Sequence, residues 1–318
     1  MSVVRLKVFM YKASLEVGEC NRIMVRIVTV KSVLNKHRRR DEWFLDDYSL
    51  NPYYGCKFNC IYCYTRSSKY GGSWKGLAIK INAPIILEKE LSRYARRGKY
   101  GFIALSSATE PWMIGIEDKY KVTRKCLHII LRYRYPIHCL TKSTLILRDL
   151  DLLGEIDRNA RLPPNLKDKL KHGVLITFSL STLDKGISRI FEPGAPSPKE
   201  RLKALEKIRD KDFLTGIAFI PILPFITDHE LEDMAREARE LNCDYVFFAP
   251  LTLYGESKRL YLKVIEEKFP ELLTKYNELY RNRFSPPKWY TNRFYRKALE
   301  YTRKYGLRFG IIKINFEI

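Results

Sequence analysis

The stretch Asn51-Pro52-Tyr53-Tyr54-Gly55-Cys56-Lys57-Phe58-Asn59-Cys60-Ile61-Tyr62-Cys63-Tyr64-Thr65-Arg66 decides how the other residues of this 318-residue chain are read. Cys56, Cys60 and Cys63 stand at the spacing C-x3-C-x2-C, crowded with aromatics and followed by no nearby fourth cysteine. Thiolates this close converge on one soft centre. Three cysteines around an iron–sulfur cube leave one iron open to a ligand that no protein residue supplies. A structural zinc site is the competing reading, and it needs four closed Cys or His ligands. His37, His128, His138, His172 and His229 all stand away from the loop, so a fourth ligand would have to come from a distance.

Outward from this loop, strand-like and helix-like stretches alternate from Trp43 onward, which predicts βα units around a parallel sheet. The predicted strands cover residues 48–54, 102–106, 137–141, 174–181, 216–220 and 245–249. Helix periodicity fills 83–97, 118–134 and 148–159. Ser197-Pro198-Lys199-Glu200 opens the next helix as a capping box with proline in the first turn. Thr227-Asp228-His229-Glu230 reads as the same device one helix later. Six units predict an α/β fold, a partial (β/α)6 TIM-like barrel over residues 44–255. An N-terminal extension (1–43) and a C-terminal basic and aromatic extension (256–318) flank it.

The fourth strand carries the clearest functional signal. Thr177, Ser179 and Ser181 alternate with Val174, Ile176, Phe178 and Leu180 around a period of two. Hydroxyls therefore share one face and bulky apolar groups the other. With helices outside a barrel, the hydroxyl face lines the lumen as a wall for ligand.

Residues 1–43 say less. Val25–Val30 alternates like a strand, and Lys36-His37-Arg38-Arg39-Arg40 reads as a polar basic link. Met24 would also serve as a start, which leaves the first 23 residues as an appendage. No apolar run approaches the ~20 residues of a membrane span, and no signal-peptide pattern precedes the core. Seven cysteines, three of them in one loop, argue against a secreted disulfide scaffold and for a cytoplasmic setting.

Lys and Arg number 58 against 36 Asp and Glu, a formal charge of +22. Such a surplus favours a polyanionic partner, nucleic acid first, over a merely solubilising surface. Between Arg281 and Arg308 nine cations face one acid, Glu300, with Phe284, Trp289, Tyr290, Phe294, Tyr295, Tyr301 and Tyr305 interleaved. Cations for phosphate and flat rings for bases compose a single-strand binding surface. An amphipathic helix with its rings packed on the barrel is the structural alternative.

The sequence resembles the radical S-adenosylmethionine (SAM) superfamily, in its spore photoproduct lyase-like (DNA-repair-photolyase-like) branch. The segments that carry the resemblance are 51–66, 106–124 and 135–153, continuing through ITFSLST (176–182), EPGAPSPKERLKAL (192–205) and IPILPFITD (220–228). The resemblance implies a [4Fe–4S] cluster on Cys56, Cys60 and Cys63, whose open iron chelates SAM. Reductive cleavage then gives a 5′-deoxyadenosyl radical, fed by an electron donor such as ferredoxin or flavodoxin. It further implies that Tyr62 lies against the adenine and that Tyr64, a candidate radical relay, lies near SAM. Ser106, Ser107, Lys142 and Ser179 match positions that contact SAM. The period of two agrees for Ser179, and a cation at a strand's carboxyl end suits Lys142. Glu192 and Arg201 read as a lid or a helix-anchoring ion pair.

One departure stands out. The namesake lyase donates a hydrogen atom from a cysteine near the end of strand two, where this chain reads Ser106-Ser107-Ala108-Thr109. A serine O–H is too strong a bond for that step. Cys139 lies on the helix-facing side of its strand, and Cys20, Cys126 and Cys243 read as ordinary small residues. The resulting expectation is a radical SAM enzyme acting on nucleic acid. A peptide or small-molecule substrate is the alternative, and a non-catalytic nucleic-acid binder with a structural metal is the rival class.

Overall fold

Period-two runs of β-branched and aromatic residues become the strands of a curled sheet, and the amphipathic runs between them become its outer helices. The computed structural model describes residues 25–68, 76–105 and 107–312. The 23-residue appendage, Cys20 and Ser106 lie outside the described residues. The strands are β1 (Val25–Val28), β2 (Leu34–Lys36), β3 (Asp46–Leu50), β4 (Tyr53–Tyr54), β5 (Leu77–Lys80) and β6 (Phe102–Leu105). They continue with β7 (Ile137–Thr141), β8 (Val174–Leu180), β9 (Leu214–Ile222), β10 (Tyr245–Pro250) and β11 (Arg308–Phe309).

Eight strands form the main sheet in the order β11-β10-β9-β8-β7-β6-β3-β2. Every neighbouring pair is parallel except β2 with β3. The six predicted units thus appear in sequence order as β3, β6, β7, β8, β9 and β10. The sheet is open, with β2 and β11 at its edges, yet it curls strongly. Trp43 and Phe44, just before β3, place their rings 5.8 and 5.1 Å from Phe247 on β10, five strands away. Together with Leu45, Phe102, Leu175, Ala218 and Tyr245 they fill the amino-terminal end of the lumen. Helices cover the outer face, where Ile137, Cys139, Val174, Ile176, Phe178 and Leu180 join the larger core. That split follows the alternation of β8 and puts Cys139 on the helix side.

Several boundaries differ from the sequence reading for visible reasons. The first predicted strand breaks after Leu50, because Pro52 has no N–H to donate. Tyr53 and Tyr54 instead pair with β5 in a second sheet, β1-β5-β4. The helix expected over 118–134 is two, Glu117–Tyr120 and Val122–Tyr133, divided at Lys121 with φ 51°. The Glu117 carboxylate takes the free N–H groups of Thr123 (3.0 Å) and Arg124 (3.1 Å) at the second helix's start. The basic link over 36–40 begins as an edge strand, and Arg40 pairs with Asp47 at 3.0 Å.

The capping box at Ser197 is present, with Ser197 and Glu200 bonding reciprocally. The second box is not. Helix Leu231–Glu240 has no side-chain cap. Glu230 turns inward to accept from Thr182 Oγ1 and from the Leu183 N–H, both at 2.7 Å. Thr227 Oγ1 accepts from the Leu223 N–H at 2.8 Å.

Beyond β10, helix Gly255–Lys268 packs beside the turn that follows the cysteines, Leu273–Leu279 lies against the segments after β9 and β10, and Lys288–Lys304 packs along β10 and helix Leu231–Glu240. Tyrosine hydroxyls fasten them. Tyr276 donates to Pro224 O, Tyr280 to Leu251 O at 2.7 Å, and Tyr290 to Asp228 at 3.0 Å. Along Lys288–Lys304 the face Tyr290, Phe294, Ala298 and Thr302 is buried, while Arg293, Arg296 and Lys297 meet water. The i, i+4 spacing makes this the amphipathic alternative for those rings. Phe284 and Trp289 are different, at 69% and 64% exposed. Among the described residues no helix is long and apolar enough to cross a membrane.

Candidate functional site

The cysteine loop begins directly after β4 at Gly55, whose φ of 71° is a left-handed value that favours glycine. Asn59 takes the same region at φ 53°. The turned loop is braced by the segment around the end of the helix that follows β8. The Ile61 N–H donates to Phe191 O at 2.8 Å, and the Gly194 N–H to Phe58 O at 3.0 Å. Gly194 packs so closely that a Cβ there would stand 2.5 Å from Lys57 O and 2.9 Å from Phe58 Cα. Arg66 binds the carbonyls of Asn59 and Cys60, closing the loop on itself.

Cys56, Cys60 and Cys63 are free thiols, all part-buried. Burial, then the nearby Glu110 carboxylate, pushes Cys56 up to about 12. Burial likewise raises Cys60, while Lys142 pulls it down. As thiols they are poor nucleophiles; a bound metal cluster would deprotonate them outright. Among the described residues no three His, Cys, Asp or Glu side chains are gathered tightly enough to close on a single ion. The fit therefore rests on the donor set. Cys126, Cys139 and Cys243 are buried elsewhere in the fold, so among the described residues the loop offers three sulfurs and no fourth cysteine joins them. That suits a cube with one free iron.

Facing this loop, the strand ends present a connected polar wall. Lys142 Nζ donates to Ser179 Oγ at 2.7 Å, and Ser179 Oγ donates to Ile220 O at 3.2 Å. Lys142 also stands 3.7 Å from Glu192 and 5.9 Å from the centre of the Tyr62 ring. Glu192, 1% exposed, accepts from the Tyr62 hydroxyl, from Ser181 Oγ at 3.1 Å and from Arg201. Burial alone would raise the Glu192 carboxyl, yet Arg201 and Lys142 hold it down to about 2. Arg201, fully buried, spends its other donors on Ser179 O (2.9 Å) and Pro196 O (2.8 Å). The pair expected as a lid or helix anchor thus also reaches the site wall.

Deeper in the lumen the hydroxyl face of β8 continues the wall. Thr177 Oγ1 lies 2.7 Å from both His138 Nε2 and the Tyr245 hydroxyl. On the loop's other flank the Tyr64 hydroxyl donates to Ser107 O, and its ring is nearly half exposed. Of the residues singled out from sequence, Tyr62, Tyr64, Ser107, Lys142 and Ser179 thus gather around the cysteine loop, while Ser106 lies outside the described residues.

Two contributors went unread in the sequence. Asn51 donates from Nδ2 to Ser107 Oγ and accepts from the Ala108 N–H, both at 2.9 Å, so it shapes the end of β6. Glu110 is buried and accepts from Thr141 Oγ1 (2.6 Å) and from the N–H groups of Lys142 (3.0 Å) and Trp112 (3.1 Å). Burial raises its pKa despite those donors. A carboxylate set between Thr109 and Pro111-Trp112 in an apolar stretch was the available signal. A cleft of about 780 Å³ at the opposite end of the strands, beside Tyr100, Arg161 and Lys167, shares none of these residues.

The family model described as the Radical SAM superfamily matches residues 50–238. An uncharacterized protein of Mycobacterium tuberculosis (strain ATCC 25618 / H37Rv) is 28% identical over 252 residues, covering 76% of this chain and 70% of its own. One from Methanocaldococcus jannaschii is 28% identical over 231 residues, covering 70% and 77%. Among solved structures, a cysteine-to-serine mutant of spore photoproduct lyase superposes with a TM-score of 0.64 at 16% identity, over 88% of this chain and 79% of that one. A double mutant of that lyase with bound AdoMet and dinucleoside spore photoproduct gives 0.59 at 16% identity, with the same coverage. Streptococcus suis SuiB bound to its precursor peptide gives 0.52 at 12% identity, over 84% of this chain and 48% of that one. At these identities the likenesses speak to fold.

Proposed function

The chain belongs to the radical SAM superfamily, and from that premise we propose that it directs SAM-derived radical chemistry onto a nucleic acid. Radical SAM enzymes use a [4Fe–4S] cluster and SAM, and together these supply a 5′-deoxyadenosyl radical for hydrogen abstraction once an electron arrives. In this reading Cys56, Cys60 and Cys63 hold the cluster. Lys142 and Ser179 bind SAM through its carboxylate or ribose, Tyr62 borders the adenine, and Ser107 and Tyr64 flank the methionine end. Ser106 is assigned to the same end by sequence. Residues 44–255 are then the catalytic barrel, and 256–318 an extension that handles substrate.

One observation carries the proposal: the three-thiol loop and the Lys142–Ser179–Glu192–Tyr62 wall meet at the carboxyl ends of the strands. The chain's own residues bind, orient and shield. The lumen below is filled by Thr177, His138 and an aromatic plug, which excludes water from beneath the reacting groups. The nucleic-acid assignment rests on the +22 charge and is encouraged by the lyase solved with a dinucleoside. The serine stretch at the position of the lyase's donor cysteine points away from that lyase's own repair reaction and towards damaged DNA of another kind or an RNA base.

The test is anaerobic reconstitution in a reducing, cytoplasm-like buffer, with flavodoxin, ferredoxin or dithionite as donor. Four irons per chain and reductant-dependent 5′-deoxyadenosine are expected. Tightly bound zinc without that product would support the structural-metal alternative. Deuterium appearing in 5′-deoxyadenosine from labelled DNA or RNA, and not from peptide pools, identifies the substrate class.

A further inference from the structure

A second surface near the site has the chemistry to hold a strand. Between helix Leu273–Leu279 and the start of Lys288–Lys304 lies a cleft of about 490 Å³. Lys275, Arg281 and Arg283 line it with Phe225 and Trp289; Glu278 is its one acid. The three cations are exposed, and among the described residues none is drawn into an ion pair. Phe284 stands beside the cleft, and it and Trp289 are the most exposed large apolar side chains among the described residues. Every other ring of 281–308 is at least partly buried.

The cleft is tied to the cysteine loop by a short path. The Phe284 ring meets Tyr254 edge-on at 5.7 Å, and Phe284 O accepts from the Leu253 N–H at 2.7 Å. The Tyr254 hydroxyl donates to Tyr64 O at 2.9 Å, one residue past Cys63. A chain lying in the cleft would therefore approach the mouth where the proposed radical chemistry occurs.

We infer that this cleft binds a single-stranded stretch of nucleic acid, stacking bases on Phe284 and Trp289 and neutralising phosphates with Lys275, Arg281 and Arg283. The inference rests on the nucleic-acid reading above and narrows it to an unpaired strand or looped-out base. Two exposed rings among cations that have no acid partner, Lys275 lying 5.7 Å over the Phe225 ring, distinguish it from an acidic peptide site, which would use the cations and leave the rings idle. Stacking on aromatics is tolerant of sequence, and phosphate contacts are strongly salt-dependent.

The experiment uses the full chain and a fluorescently labelled 12-nucleotide strand, as DNA and as RNA, titrated across salt. Wild type is expected to bind the single strand more tightly than the matching duplex. Phe284→Ala and Trp289→Ala should each weaken binding about tenfold, within the range for one stacked base. Arg281→Gln with Arg283→Gln should lower the salt slope by about 1.4, or 0.7 per phosphate contact on a single strand. Melting temperature and iron content per chain check that the variants fold. Single-strand binding by wild type that both pairs of variants leave intact overturns the cleft and spares the nucleic-acid reading. Equal or tighter duplex binding also overturns it. Binding of poly-glutamate but of no oligonucleotide overturns the nucleic-acid reading itself.

Discussion

The Tyr62 hydroxyl donates a hydrogen bond to Glu192, 130 positions further along the chain. The aromatic side chain inside the cysteine loop is thereby held by the carboxylate that also binds Arg201 and stands 3.7 Å from Lys142. Loop geometry and the charge of the facing wall depend on one buried anion.

Glu192→Gln should be costly. It leaves the fully buried Arg201 cation without its charge partner, and breaking such a pair costs about 3–5 kcal/mol. Urea unfolding measures it. The pH dependence follows from the depressed pKa. Folded Glu192 titrates near 2, against its ordinary 4.5. Its contribution is therefore complete above about 4.5 and fades as pH falls towards 2. The variant should lose that part of the acid limb; identical acid limbs in both proteins would contradict the buried pair.

Gly194→Ala tests the brace on the cysteine loop. The new methyl would meet the Lys57 carbonyl at 2.5 Å, which backbone atoms cannot absorb without moving. Iron bound per chain after anaerobic reconstitution should fall several-fold, with helix content by circular dichroism kept. Full iron loading would show that the loop does not need this contact.

Lys142→Met should weaken SAM binding at least tenfold while leaving iron content unchanged, since the side chain faces the loop without being a cluster ligand in the proposed site. Ser179→Ala, which removes the partner of the Lys142 ammonium at 2.7 Å, should do the same more mildly. Equilibrium dialysis with labelled SAM separates the two effects. Unaltered affinity in both variants would remove these residues from the site.

Thr177→Val leaves His138 Nε2 and the Tyr245 hydroxyl facing an apolar group inside the lumen. An unmet buried polar group costs about 1–3 kcal/mol, so the denaturation midpoint should drop accordingly. A neutral outcome would mean that these groups find other partners.

Lys80 gives a test at alkaline pH. Burial lowers its pKa from 10.5 to about 8, while its ammonium donates to Asn51 O at 2.7 Å. Between about 8 and 10.5 the unfolded chain binds more protons at this site than the folded one, so this group makes stability rise with pH. Lys80→Met should abolish that rise in a pH series of thermal midpoints.

Elements whose signals are local are legible in the order of residues alone. C-x3-C-x2-C singled out the loop proposed to hold the cluster, because three sulfurs so close have few other uses. Alternation along β8 separated lumen from helix side, since a strand's period allows only two faces. Six βα units in order specified the sheet, because parallel neighbours need crossovers. Tertiary structure decided what depends on side chains far apart in sequence. Asn51 and Glu110 became supports of the β6 and β7 ends only when the strands came together. Glu230 left its expected cap because Thr182 offered a buried donor that no local pattern announces. Of the interleaved rings after Arg281, packing buried Tyr290 and Phe294 and left Phe284 and Trp289 in water. Composition counts rings and charges; only the folded chain says which of them face solvent.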